Sequence, residues 1–518
     1  MKKIPIIDLF AGPGGLGEGF SSLVDERGRS VFDIKLSIEK DVNAHKTLTL
    51  RSFFRQFKKK GEAVPKEYYD VIKENSLKKR EALISIMLDS FPEGLEAKNE
   101  ACLVELGSKE WSAERVDTLI EERLEGQNKK WLLIGGPPCQ AYSNVGRSRV
   151  GGIDPEDHRV YLYKEYLRII TKHRPAVYVM ENVKGLLSAN VGEERVFDRM
   201  KVDLSLNGDY TIYSFVKPVS DDRDFLIKSE RYGIPQKRHR VILLGVRNDL
   251  EYNPQYLKES NEVSLKSIIE NLPKLRSGLN RTFVHYNESE QNKNGKPKRI
   301  YHDLKDTPET WTNFMKASLA EIKDWGEIDL NSLNKEPQTF ENGIGSEFVA
   351  TNSKMNIKHP LSKWYNDNKL EGVANHQSRS HLTQDLMRYL FAGLYVEQYG
   401  TFPRLEDFAR HNYTLIPDHE NVESGKFTDR FRVQVAERPA TTVTSHISKD
   451  GHYFIHYDPK QCRSLTVREA ARIQTFPDNY LFRGSRTQQF HQVGNAVPPY
   501  LAHQLALIVS LIFKNNEV

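Results

Sequence analysis

An apolar run at the start of the chain, Ile4 to Leu9, passes directly into a glycine cluster, Gly12-Pro13-Gly14-Gly15-Leu16-Gly17. This restricts the fold more than any other feature. An apolar run ended by glycines reads as a buried strand, a tight turn and then a helix. Gly12, Gly14 and Gly17 fit the G-x-G-x-x-G spacing, in which missing side chains let main-chain groups approach a ligand. Lys35 to Ile38 is predicted as the next strand and ends at Glu39. That is close to the offset of about 20 residues at which a carboxylate accepts hydrogen bonds from a ribose. The unit predicts an adenosine-containing ligand. It does not separate a nicotinamide dinucleotide from S-adenosylmethionine, and a purely structural turn is the plainer alternative.

Further apolar runs occur at Trp131–Ile134, Ala176–Met180 and Val241–Val246, with helical spacing over Tyr161–Ile170. Strands alternating with helices predict an open α/β fold, a doubly wound and mostly parallel sheet. At 518 residues the chain exceeds what one core usually organises. The expected division is a catalytic domain over 1–250, carrying a charged helical insertion at about 43–130. An irregular region follows over 251–437, and the chain returns to the catalytic domain over 438–518. In that last part Ala440–His446 and Tyr453–His456 alternate like two strands about an Asp450-Gly451 turn. Thr466-Val467-Arg468-Glu469 has the form of a capping box, and a final helix is predicted from about Pro498 to Phe513.

Composition excludes several classes. With 38% hydrophobic and 28% charged residues the chain is globular and not disordered. No apolar run is long enough to cross a bilayer, and the N-terminal residues lack a signal peptide. Three cysteines, Cys102, Cys139 and Cys462, make neither a disulfide framework nor metal-type pairs. A cytoplasmic location is therefore expected. The net charge of +5 permits a nucleic-acid partner without requiring one.

Cys139 lies at the exit of a strand, after Gly135-Gly136-Pro137-Pro138. Ligands of open α/β sheets bind outside the carboxyl ends of strands, and the prolines fix a rigid turn there. Glu181 bears the same relation to the Ala176–Met180 strand. A thiol, a carboxylate and an adenosine loop on one sheet edge form a catalytic constellation. Arg238 and Arg240 alternate just before the Val241 strand and are expected to face one side. Taken singly, a structural cysteine and solvated arginines are the simpler readings. His376 and His381, with Arg379, lack a third ligand, so packing or phosphate contact is expected and no metal.

Together these segments resemble the DNA cytosine-5 methyltransferases of bacterial restriction–modification systems. Asp8-Leu9-Phe10-Ala11-Gly12-Pro13-Gly14-Gly15 is similar to their cofactor motif, and Gly136-Pro137-Pro138-Cys139-Gln140 to their nucleophile motif. Glu181-Asn182-Val183 is similar to their base-binding motif, and Gln236-Lys237-Arg238-His239-Arg240 to their Q-x-R-x-R motif. Arg468–Pro477 resembles the segment after their target-recognition region, and Gln492–Pro499 their last motif, which folds back beside the first. These segments occur in family order.

The resemblance implies a Rossmann-like methyltransferase fold with a smaller, irregular target-recognition domain. It implies transfer of a methyl group from S-adenosyl-L-methionine to C5 of a cytosine flipped out of duplex DNA. In that reading Cys139, Glu181, Arg238 and Arg240 are catalytic. Asp8, Phe10, Gly12, Gly14, Gly15, Glu39, Pro137, Leu162, Asn495 and Val497 hold the cofactor. The implied roles are attack on C6 by the Cys139 thiolate, a grip on N3 and the exocyclic amine by Glu181, and a grip on the base carbonyl and a phosphate by the two arginines.

Ser143–Asp154, with Arg147 and Arg149, resembles a mobile basic loop, and Asn144 or Val145 could fill the vacated stack. The target sequence is expected to be read by the variable region, whose Lys293, Lys296, Lys298 and Arg299 suit phosphates. A monomer paired in function with a restriction endonuclease is expected. Two departures stand out: the long 43–130 stretch, and the lack of a clear adenine-contacting Asp, for which Asp117 is the nearest candidate.

Overall fold

The computed structural model describes residues 3–126, 130–138, 158–191, 194–291, 295, 297–328, 330, 338–356, 358–412, 415–417 and 430–516. Strand β1 (Ile4–Leu9) is buried along its whole length, as expected for a strand covered on both faces. The glycine cluster leads into helix α1 (Gly15–Ser21), and β2 (Phe32–Glu39) returns beside β1 in parallel. Four helices follow: α2 (Val42–Lys60), α3 (Lys66–Lys73), α4 (Leu77–Ser90) and α5 (Pro92–Glu100). Next come β3 (Ala101–Leu103), α6 (Ala113–Leu124), β4 (Leu132–Gly135), α7 (His158–His173) and β5 (Val177–Val183).

Three more strands complete the sheet through antiparallel pairings: β6 (Tyr210–Ser214), β7 (Leu226–Lys228) and β8 (His239–Arg247). The order is β3-β2-β1-β4-β5-β8-β6, with β7 also on β8. The strands from β3 to β5 pair in parallel, whereas β8 runs against β5, β6 and β7.

Alternation along β1 divides the core. Ile4 and Ile6 face α1 and the C-terminal helix, while Ile7 and Leu9 face α6 and α7 through Val116, Ile120, Tyr166 and Ile169. The sheet is thus the middle of three layers.

The stretch 43–130 is not helical throughout, because β3 joins the central sheet beside β2. Helices α3 to α5 pack a separate apolar cluster that includes Phe53, Tyr68, Ile84 and Met87 together with Phe348, Leu370 and Leu481. Arg80 is fully buried there, 2.9 Å from Glu347.

Beyond residue 250 short paired strands dominate. A parallel pair, β9 (Gly278–Leu279) and β14 (Ser380–His381), lies near an antiparallel ribbon, β10 (Arg281–Gln291) and β11 (Pro297–Asp303). β12 (Gly345–Ala350) pairs with β13 (Gly372–Gln377). Helices α8 (Pro308–Asp324) and α9 (Thr383–Tyr399) share a second core through Trp311, Met315, Leu390 and Phe391.

The two strands expected over 440–456 do not form. Single bridges join Gln236 to Ala440, Val433 to Ile455 and Ile455 to Ser464 instead, and Ser445–Ser448 is a 3-10 turn. The chain then makes α10 (Val467–Ile473), α11 (Arg486–Asn495) and α12 (Pro499–Asn515). The Thr466–Glu469 capping box is present, and α12 packs on α1.

Candidate active site

The carboxyl edge of the parallel strands collects most of the expected site. At the exit of β1, Phe10 adopts φ +56°, a left-handed conformation uncommon for an aromatic residue. The turn lets Ala11 N–H reach the Ile38 carbonyl at 3.0 Å. Gly12 N–H and Asp41 N–H each donate to one oxygen of Glu39, both at 2.7 Å. Glu39 therefore fastens the glycine loop to the end of β2, and each oxygen keeps a lone pair. Burial raises the Glu39 carboxyl above its ordinary range against the pull of those main-chain bonds.

The loop is pressed from behind. A Cβ on Gly15 would lie 2.2 Å from the Val497 carbonyl oxygen, so only glycine fits. The last motif thus lies directly against the first. Gly14 takes φ +99°, and the Tyr480 hydroxyl donates to the Pro13 carbonyl beneath it. Behind α1, Arg51 makes two bonds to the buried Glu18, at 2.5 and 2.8 Å, and a third to Asn479 at 2.9 Å. A Cβ on Gly12, by contrast, would enter open space.

Asp8 is fully buried in β1, beneath the first turn of α1, and neither of its oxygens has a hydrogen-bond partner. A Cβ on Gly17 would lie 3.0 Å from its Oδ2. Burial pushes the Asp8 carboxyl up to about 8, although Arg55 draws it down. Buried carboxylates without partners are rare and mark groups that await one. An orphaned carboxylate below an open glycine loop fits a cationic nucleoside such as S-adenosylmethionine.

The second half of the edge lies at β4 and β5. Gly136 follows β4 so closely against β5 that a Cβ there would sit 3.1 Å from Glu181 Oε2. On the other oxygen, Arg240 Nε lies 2.8 Å from Glu181 Oε1. Register explains the pairing: Ile242 opposes Glu181 and Arg240 opposes Val183, so Arg240 and Glu181 are diagonal neighbours on one face. Pro137 is buried and Pro138 half-buried just beyond Gly136. Cys139 itself, the 143–154 loop with Asn144 and Val145, and Lys293 and Lys296 lie outside the described residues.

Arg238 does not share the position of Arg240. It is buried, and its Nη1 donates to the carbonyls of Val443 at 2.9 Å and Gly494 at 3.3 Å. Burial and repulsion from Arg240 hold its pKa well below the usual guanidinium value. Gln236 is likewise buried, bridging Ile473, Gln474 and Val443. Leu162 is buried in α7. Asn495 ends α11, its amide 3.3 Å from the His491 ring.

Asp117 is not at this edge. It holds Arg168 at 2.7 Å and His173 at 2.8 Å near the C-terminal end of α7. Glu105, two positions past β3, lies instead near the end of β2. There Val104 N–H donates to the Glu39 carbonyl at 3.0 Å, and Lys40 approaches Glu105 at 3.3 Å. Both ring nitrogens of His376 are engaged, with Thr466 at 3.0 Å and the Pro273 carbonyl at 2.8 Å, and His381 meets Ser464 at 3.3 Å. These histidines pack the interior. Lys298 pairs with Glu290 at 2.7 Å.

A glycine loop, a strand-end Glu39 and an arginine-held Glu181 share one sheet edge, and comparison with known proteins gives the class. The chain belongs to the C-5 cytosine-specific DNA methylases, whose family model matches residues 118–509. It is 32% identical over 530 residues to type II methyltransferase M.Bpa9945I of Bacillus paralicheniformis, covering 99% of this chain and 100% of that protein. To type II methyltransferase M.DdeI of Desulfomicrobium norvegicum it is 27% identical, covering 74% of this chain and 73% of that one. Its fold matches that of an E. coli prophage protein described as a DNA modification methyltransferase. The TM-score is 0.52 at 18% identity, covering 99% of this chain and 100% of the other.

Proposed function

We propose that this cytosine-5 DNA methylase uses S-adenosylmethionine, a covalent Cys139 adduct and base flipping to methylate one cytosine in a specific duplex site. The observation that carries the reading is the setting of Glu181, held by Arg240 on one oxygen and lying against Gly136 of the cysteine loop on the other.

C5 of cytosine is a weak nucleophile. Addition of the Cys139 sulfur to C6 forms a C–S bond and moves an electron pair toward N3 and the carbonyl, which makes C5 enamine-like. Glu181 donates to N3 as that charge develops and accepts from the exocyclic amine. Arg240 orients Glu181 and faces the base carbonyl. Arg238 is a positioning residue, fixing the Val443 and Gly494 segments beside the site. Bound S-adenosylmethionine supplies an electrophilic methyl group. C5 then loses its proton to water in the site, N3 returns its proton to Glu181, the C–S bond breaks and the thiolate leaves. Glu39 receives the ribose, Asp8 faces the cationic end and Glu105 holds the adenine amine. Phe10, Pro137, Leu162 and Val497 wall the pocket.

The base is unreachable inside a duplex, so it must rotate out. Residues 251–437 read the site. The protein acts as a monomer and protects DNA from an endonuclease of the same specificity.

The test is transfer of tritiated methyl from S-adenosylmethionine to duplex DNA, followed by digestion to nucleosides. Label in 5-methyldeoxycytidine is expected. Label confined to another nucleoside, or none in DNA, overturns the reading.

A further inference from the structure

The ribbon β10–β11 takes no part in the catalytic edge, yet it carries side chains that a solvated hairpin does not need. Its pairing sets Phe283 opposite Tyr301 and Tyr286 opposite Arg299, with an irregularity between Phe283 and His285. That shift brings Arg281, Phe283, Tyr286, Arg299 and Tyr301 onto one face. Phe283 lies 5.0 Å from Tyr286 and 6.1 Å from Tyr301, and Arg281 stacks 4.1 Å over Tyr301. Arg281, Tyr286 and Arg299 remain exposed. A lone two-stranded ribbon is marginally stable in water, so an exposed aromatic–arginine face on one invites a partner.

Its root connects to the catalytic edge. Thr282 bonds Thr383 at 2.8 Å at the start of α9. One strand back, Gly278 N–H donates to the Arg379 carbonyl at 3.0 Å. Arg379 in turn donates to the Lys449 carbonyl at 2.7 Å and lies 4.3 Å over Phe490 of α11. That helix ends beside Gly494, whose carbonyl accepts from Arg238.

We propose that this ribbon enters the major groove of the duplex beside the flipped cytosine and that its Tyr286–Arg299 pair reads base edges. The proposal rests on the DNA-methylase reading above. Dimensions suit it. A strand of 11 residues spans about 33 Å, with strands about 4.8 Å apart, while the groove is about 12 Å wide.

Along the strands Arg281, Lys298 and Arg299 match Glu288, Glu290 and Asp303, with Lys298 tied to Glu290, and the residues between the strands add Lys293 and Lys296. The ribbon is net cationic, which suits a polyanionic duplex, while sequence is read by the groove contacts of its aromatic–arginine face.

The test uses the full-length protein. The site methylated by wild type is first mapped by bisulfite sequencing. R299A and Y286A are then assayed on a duplex holding that site, on its single-base-pair variants, and for binding to a site-free duplex. Each variant is expected to lose about 10- to 100-fold in kcat/KM on the mapped site. Discrimination should collapse at one base pair, with site-free binding and the thermal midpoint unchanged. Equal losses on site and site-free duplexes, with a shallower salt dependence, would make the ribbon a phosphate contact and overturn the proposal. No loss in either variant would remove the ribbon from the interface. A wild type that methylates no DNA would instead defeat the underlying reading.

Discussion

Replacement of Asp8 by Asn probes the cofactor site most sharply, because the burial of its carboxyl fixes the sign of the effect. The Asp8 carboxyl is buried, unpartnered and pushed up to about 8. A rise of about four units from the ordinary value amounts to roughly 6 kcal/mol of preference for the neutral form. At pH 6.5 the group is then almost fully protonated. A sulfonium and an ammonium brought beside it favour the carboxylate, so binding of S-adenosylmethionine releases close to one proton. Affinity should accordingly rise as pH increases, by up to about tenfold per unit below pH 8, and level off above it. Calorimetric titration at pH 6.5 in two buffers of different ionisation enthalpy counts the protons directly. Wild type should release about one proton and D8N close to none, with D8N affinity nearly independent of pH. Equal proton release by both proteins would show that the linkage belongs to another group.

Other outcomes follow from the same geometry. E39A should weaken S-adenosylmethionine binding by about 1.5–3 kcal/mol, seen by calorimetry, through loss of charge-assisted bonds to the ribose. The two arginines should separate. R240A should lower kcat with an unchanged thermal midpoint, whereas R238A should cost about 1.5–3 kcal/mol of stability because it strips the Val443 and Gly494 carbonyls of a buried donor. His376 is buried and held down at about 4. Its unfolded form takes up a proton near pH 6.5, so stability falls as pH drops from about 6.5 toward 4, by roughly 3 kcal/mol from this group. Denaturant midpoints measured across that window for wild type and H376Q should show a shallower slope in the variant.

The catalytic half was legible where apolar runs were long and flanked by glycine. Ile4–Leu9 is β1 to the residue, and the β4, β5 and β8 runs were found within a few positions. β3 was missed because three residues inside a charged stretch show no period. Asp117, the nearest candidate for the adenine, is taken up by Arg168 and His173 instead. The alternation over 440–456 was real but misleading. Those residues take main-chain partners elsewhere, such as Ala440 on Gln236, and not each other. Arg238 and Arg240 share a parity, yet β8 starts at His239, so the two-residue period of the strand does not reach Arg238. The ribbon β10–β11 was hidden because its bulge breaks the alternation.

The most direct test of the account is covalent capture on a duplex carrying 5-fluorocytosine at the mapped site, in the presence of S-adenosylmethionine. Fluorine at C5 cannot leave as a proton does, so the C–S bond formed in the first step persists. Wild type should yield a denaturation-resistant protein–DNA adduct, with mass spectrometry placing the nucleotide on the peptide that contains Cys139. C139S should give no adduct and no transfer, yet still bind S-adenosylmethionine. An adduct on another residue, or normal turnover by C139S, would contradict the assignment.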